Sequence, residues 1–183
     1  MKAPTVLLGV TGSIAAYKAA EIASRLVKRG CDVHVLMTEG AEQFITPLTL
    51  QTLSKNEVIL ERPASPGNWK PLHVHLADSA SLLLIAPASA NVLAELAHGL
   101  ANRPLTEVAL ATRAALLIAP AMNGNMWEHP ATLENVQKLK SRGARFVGPA
   151  EGMLACGYEG VGRLAEPEAI VDAALETLGI RKS

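Results

Sequence analysis

Short runs of aliphatic residues recur along the chain, each followed by a segment with helical spacing, and this alternation limits the fold more than any other feature. Residues 5–10, 32–37, 81–86, 115–119 and 145–147 read as strands. They are runs and not apolar–polar alternations, as expected of parallel strands covered on both faces. Residues 14–29, 47–54, 92–98 and 130–142 read as helices, with 167–178 as a closing helix. Gly30 and Gly143 stand where C-terminal caps belong, and Pro130 where a first helical turn begins. Strand followed by helix throughout predicts an α/β fold: a doubly wound, mostly parallel sheet of Rossmann-like or flavodoxin-like type, in one domain spanning 1–183. Such sheets bind ligands beyond the carboxyl ends of their strands, so the loops that follow the strands are where a site is expected.

Composition removes several function classes. Lys plus Arg and Asp plus Glu each number 17, so no net field draws a polyanion, and nucleic acid is not expected as a partner. No stretch reaches the roughly 18–20 uninterrupted apolar residues of a membrane span, so no membrane association is expected. The apolar run 6–10 is broken by Thr11, Gly12 and Ser13 and followed by Lys18, which suits a strand, loop and helix better than a secretory signal. Aromatic residues make up only 3%, so the core must be aliphatic, and Trp127 in a loop stands out. Cys31 and Cys156 form neither metal-ligand spacing nor a disulfide framework, which fits a reducing cytoplasm; Cys31, beside a strand, reads as core.

The loops carry the chemistry. After the first strand, Gly12 and Ser13 at a helix start offer backbone N–H groups, a hydroxyl and a favourable dipole to a phosphate, although Ser13 is equally a plain N-cap. The spacing is not the Gly-x-Gly-x-x-Gly dinucleotide fingerprint. Thr38 ends the second strand ahead of 39–45, where Thr38 and Phe44 read either as cap and core or as part of a site. Ala-Pro-Ala-Ser-Ala-Asn at 86–91, including Pro87, Ala88, Ser89 and Ala90, lets a flat ring or a phosphate approach the backbone. Pro-Ala-Met-Asn-Gly-Asn-Met-Trp at 120–127 places Ala121, Asn123 and Met126 in one loop, although Asn123 also suits a turn. Residues 148–164 are Gly-rich and without periodicity, and read as a lid or binding loop holding Cys156.

Together these motifs resemble those of the flavin-containing cysteine decarboxylases that convert phosphopantothenoylcysteine to phosphopantetheine. The resemblance rests on Gly-Ser-Ile-Ala-Ala-Tyr-Lys at 12–18, His-Val-x-Leu at 73–76, Ala-Pro-Ala-Ser-Ala-Asn, Pro-Ala-Met-Asn-x-x-Met-Trp, and Ala-Cys-Gly-x-x-Gly-x-Gly-Arg at 155–163. It covers residues 6–178 and departs at Asn102-Arg103-Pro104, where relatives often carry Asn-Asp-Leu, so no role carries over to Arg103.

The resemblance implies an FMN enzyme of coenzyme A biosynthesis. In it the cysteinyl side chain is oxidised to a thioaldehyde with FMN as electron acceptor, carbon dioxide leaves, and the resulting enethiol is reduced again. It implies that His73 is the active-site histidine, Asn123 the partner of the substrate carboxylate, and Cys156 the proton donor that separates net from oxidative decarboxylation. Gly12, Ser13, Thr38, Phe44, Pro87, Ala88, Ser89, Ala90 and Ala121 match cofactor positions. Asn123, Met126, Ala155, Cys156 and Gly157 match substrate positions. A homo-oligomer is implied as well, a trimer or a trimer-based dodecamer, with a phosphopantothenoylcysteine synthetase as partner. Alternatives on the same fold are a peptidyl-cysteine decarboxylase, a flavin prenyltransferase and a non-catalytic regulatory flavoprotein. Read as extended chain entering the third strand, 73–76 puts His73 and His75 on one side, so the choice of His73 rests on the motif.

Overall fold

The computed structural model describes residues 3–61, 72–153, 155, 157 and 159–180. Its central sheet is built from β1 (Thr5–Val10), β2 (Asp32–Met37), β3 (Ile59–Leu60), β4 (Leu82–Ala88), β5 (Ala115–Pro120) and β6 (Arg145–Phe146), all parallel, in the order β3-β2-β1-β4-β5-β6. The chain winds outward from β1 to β3, then returns past β1 and winds outward on the other side. That reversal between β1 and β4 leaves a crevice at the carboxyl ends of the two strands.

Every residue of β1 is buried because both of its faces are covered. Val6, Leu8 and Val10 join one core layer with Ile22, Ala23 and Leu26 of helix α1 (Ala19–Lys28), while Leu7 joins the other. Alternate residues therefore serve opposite layers, which is why the strand reads as a continuous apolar run. A short helix α2 (Glu39–Glu42) and then α3 (Pro47–Ser54) follow β2. On the second face lie α4 (Leu72–Ser79), α5 (Ala90–His98) and α6 (Pro104–Ala111), and beyond β5 come α7 (Gly124–Glu128) and α8 (Pro130–Ser141). Val92 and Leu93 of α5 and Val136 and Leu139 of α8 fill the layer that Leu7 enters. A hairpin, β7 (Ala150–Met153) and β8 (Glu159–Arg163), precedes the closing helix α9 (Pro167–Thr177), which packs on α1. Gly30 and Gly143 end α1 and α8 in the left-handed conformation, with φ of 82° and 93°.

Three expectations change. The first helical segment splits into a 3-10 turn, Ile14–Lys18, and α1. Residues 148–164 are not structureless, because 150–153 and 159–163 pair as antiparallel strands. The pattern is silent there because these strands lie outside the main sheet and bury mainly backbone. Finally, 73–76 are helical and not extended: Leu76 and Ala77 are buried while Val74 is 43% exposed, a 3.6-residue period that seats α4 against α6. Positions 73 and 75 are thus about 200° apart around the helix and fall on different faces.

Candidate active site

The crevice at the β1/β4 reversal holds a cavity of about 620 Å³, walled by the loops after β1, β2, β4 and β5 and by the β7–β8 hairpin. Gly12, Ser13, Phe44, Ser89, Ala90, Ala121, Asn123, Met126 and Ala155 line it, so residues from five separate stretches of sequence are brought together. Thr38, Pro87 and Ala88 do not line it. They stand behind its wall: Thr38 N–H donates to Val10 O at 3.0 Å, Pro87 O accepts from Thr11, and Ala88 O accepts from Ala121 N–H at 3.1 Å. Gly157 is exposed, with φ 93°, and is not part of the lining. Cys156 and the side chain of His73 lie outside the described residues. Trp127 packs on the second core layer and stays out of the cavity.

Thr11, which the sequence did not mark, stitches the crevice. Its fully buried hydroxyl donates to Pro87 O at 2.8 Å and accepts from Ser89 N–H at 2.8 Å, tying the end of β1 to the start of α5. A Thr between Val10 and Gly12 reads only as a break in the apolar run until its partner, 76 positions away, is known. Two helical starts converge on the cavity. Ser13 Oγ accepts from Ala15 N–H at 3.3 Å and Ser89 Oγ from Val92 N–H at 3.4 Å, so both serines are caps and both line the cavity.

The wall between the β1 and β2 loops is bare backbone: a Cβ on Gly12 would lie 3.2 Å from the backbone of Gly40, another residue that the motifs did not single out. Serine hydroxyls and backbone at two helix starts suit a phosphate. Beside it Phe44, Ala90, Ala121 and Met126 offer an apolar surface for a flat ring. The residues present therefore fit an FMN.

Asn123 serves as N-cap of α7, its Oδ1 accepting from Asn125 N–H at 2.9 Å, and it lines the cavity at the same time. The cap fixes the amide plane, and the amide nitrogen is the end that donates to an anion. Met122 N–H donates to Gly162 O at 2.9 Å, and Gly162, at φ 156°, lies against Met122 O with no space for a Cβ. This joint holds the hairpin over the site.

Charge enters through Lys18 and Arg163, both lining the cavity and both bridged by Glu166, at 3.4 and 3.0 Å. Arg103 lies elsewhere. Its Nη1 meets Glu61 Oε1 at 2.9 Å and its Nη2 meets Glu95 Oε1 at 2.7 Å; Glu61 Oε2 in turn accepts from Glu39 N–H at 3.1 Å. Arg103 thus ties β3, α2, α5 and α6 together behind the site. Cys31 is a core residue whose thiol is pushed up in pKa by burial, against a smaller lowering from Arg29. Among the described residues, no group of three or more His, Cys, Asp or Glu side chains is placed to hold a metal, and no helix is long and apolar enough to cross a membrane.

The flavoprotein family model matches residues 1–179. The chain belongs to the flavoprotein family. This flavoprotein is 47% identical to a probable phosphopantothenoylcysteine decarboxylase of Streptococcus mutans, with 94% of this chain and 98% of that protein covered. It is 48% identical to the coenzyme A biosynthesis bifunctional protein CoaBC of Bacillus subtilis over 92% of its own length, and it spans 42% of that longer protein. Among solved structures, a PPC decarboxylase cysteine-to-serine variant complexed with pantothenoylaminoethenethiol superposes with TM-score 0.83 at 33% identity, covering 94% of this chain and 96% of that one. The FMN binding protein AtHal3 superposes with TM-score 0.84 at 32% identity over the full length of both chains.

Proposed function

We propose that this flavoprotein binds FMN and decarboxylates 4′-phosphopantothenoylcysteine to 4′-phosphopantetheine in coenzyme A biosynthesis, as a carboxy-lyase. One observation carries the reading: the capped starts at Ser13 and Ser89, the Asn123 loop and the hairpin bearing position 156 all face one cavity at the β1/β4 reversal. The name of the relative at 47% identity supports the same substrate, and that of the relative at 48% identity supports the pathway.

FMN supplies a reversible two-electron acceptor when bound. Backbone N–H groups at the Ser13 and Ser89 starts would hold its phosphate in a field favourable to an anion. Phe44, Ala90 and Ala121, which line the cavity, would offer its ring an apolar surface. Asn123 Nδ2 donates to the substrate carboxylate and holds it until it departs as carbon dioxide. His73 acts as base near the substrate, and the Cys156 thiol returns a proton to the enethiol carbon. The relative solved as a cysteine-to-serine variant with an enethiol ligand supports that last role. Met126 and Ala155, which line the cavity, complete the substrate side.

Ile14, Tyr17 and Met153, 56%, 58% and 61% exposed, line the cavity and leave apolar surface open to solvent. That surface supports a homo-oligomer, trimeric or a dodecamer of trimers. A cytoplasmic location and a phosphopantothenoylcysteine synthetase as partner belong to the same reading, the latter supported by the bifunctional relatives. The test is to purify the protein, weigh the released cofactor, add phosphopantothenoylcysteine and follow product mass with flavin absorbance. A product lighter than the substrate by one carbon dioxide is expected; unchanged substrate with FMN bound would overturn the reading.

A further inference from the structure

Two of the motifs end in a cation, Lys18 at the end of the β1 turn and Arg163 at the end of the hairpin, and neither is among the residues assigned above to FMN or to the decarboxylation. They are the charged residues of the cavity: among the described lining residues no carboxylate accompanies them. Their counter-charge comes from outside, from Glu166, which places one oxygen on each cation: Oε2 lies 3.4 Å from Lys18 Nζ and Oε1 lies 3.0 Å from Arg163 Nη2. Lys18 is 18% exposed, Arg163 45% and Glu166 57%, so the carboxylate meets the two cations from the solvent side. Glu166 stands at the N-cap position of α9 but makes no side-chain cap hydrogen bond that would hold it there.

The geometry points to Lys18 and Arg163 as the subsite for the phosphate monoester at the far end of the substrate, with Glu166 as the carboxylate that occupies the two cations until the phosphate arrives. This rests on phosphopantothenoylcysteine being the substrate. Solvent-exposed ion pairs contribute little, so exchanging one carboxylate for a phosphate dianion, with more charge and three acceptor oxygens, is favourable. The assignment to the substrate's phosphate follows from Arg163, which succeeds Gly162, whose backbone is joined to the Met122–Asn123 loop on the substrate side.

The test uses the FMN-loaded protein, with Lys18→Gln, Arg163→Gln and the double variant. Rates are measured with phosphopantothenoylcysteine and with pantothenoylcysteine, and calorimetric binding with phosphopantetheine and with pantetheine. Each single variant is expected to lose about ten- to a hundredfold in kcat/KM and in affinity for the phosphorylated compounds, in the range of charge-assisted hydrogen bonds. The unphosphorylated compounds should change by less than about twofold, and the double variant should show no preference between the two series. Lys18→Arg and Arg163→Lys, which keep the charge, should recover part of the preference. Equal losses for both series would overturn the assignment, and so would loss of FMN, which would place the cations on the cofactor's phosphate. If the parent protein turns over neither substrate, the proposed reaction fails, and the binding series still decides whether these cations read a phosphate.

Discussion

Replacing Arg103 by Asp, the residue that relatives often carry there, removes the cation that bridges Glu61 and Glu95 among the described residues. In the parent the guanidinium spans both, with Nη1 2.9 Å from Glu61 Oε1 and Nη2 2.7 Å from Glu95 Oε1. The side chains of Arg103, Glu61 and Glu95 are 22%, 18% and 7% exposed, so water screens the group poorly. Removing one partner of a buried pair strands the other charge at a cost of about 3–5 kcal/mol. Glu95 carries most of that, since Asn91 Nδ2, at 2.9 Å, is a neutral donor and cannot balance its charge. Glu61 keeps its contact with Glu39 N–H and is free to turn to solvent. At roughly 2–4 °C per kcal/mol for a chain of this size, Arg103→Asp should lower Tm by about 6–20 °C. Adding Glu95→Lys restores opposite charges across the same gap with the polarity reversed and should return at least half of the loss. The assay is denaturant and thermal unfolding of parent, both single variants and the double variant, as a double-mutant cycle. An Arg103→Asp variant within about 1 kcal/mol of the parent, or a double variant no more stable than Arg103→Asp, would refute the reasoning.

Gly162→Ala should displace the hairpin, because a Cβ there meets Met122 O and the φ of 156° disfavours any side chain. Turnover should fall about a hundredfold or more while Tm moves by only a few degrees, since the hairpin lies outside the main sheet; a parent-like rate would show that the joint is not needed. Gly12→Ala sets a methyl 3.2 Å from the Gly40 backbone and should weaken FMN binding by about 1–3 kcal/mol of overpacking, read by fluorescence titration against an unchanged affinity as the contrary result. His73→Asn should abolish carbon dioxide release with FMN retained, while His75→Asn, on a different face of α4, should cost less than about tenfold, or ~1.4 kcal/mol; the reverse ranking would move the active histidine by two residues. Cys156→Ser should yield an enethiol two hydrogens lighter than phosphopantetheine, and mass spectrometry showing a normal yield of phosphopantetheine would remove the proton-donor role.

Most of the sheet is legible in the sequence. Residues 5–10 and 32–37 are strands at the same bounds, 47–54 is a helix at the same bounds, and a parallel doubly wound sheet follows from unbroken apolar runs separated by helices. The residues of the Gly12, Ser89 and Asn123 loops can be nominated because they end strands, where such folds place ligands. Local periodicity is enough for this, because it records how often a side chain must face the core. It fails at 73–76, where four residues fit a strand as readily as a helix and only the packing of Leu76 and Ala77 against α6 decides. The contacts that make the site are not in the sequence at all. Gly12 against Gly40, Thr11 to Pro87 and Ser89, Gly162 on Met122, Arg103 between Glu61 and Glu95, and Glu166 joining Lys18 to Arg163 each link residues whose partners depend on where the chain crosses. A glycine that leaves room, or a charge that needs a counter-charge, has no periodic signature. Its meaning is set by the neighbour that tertiary folding brings to it.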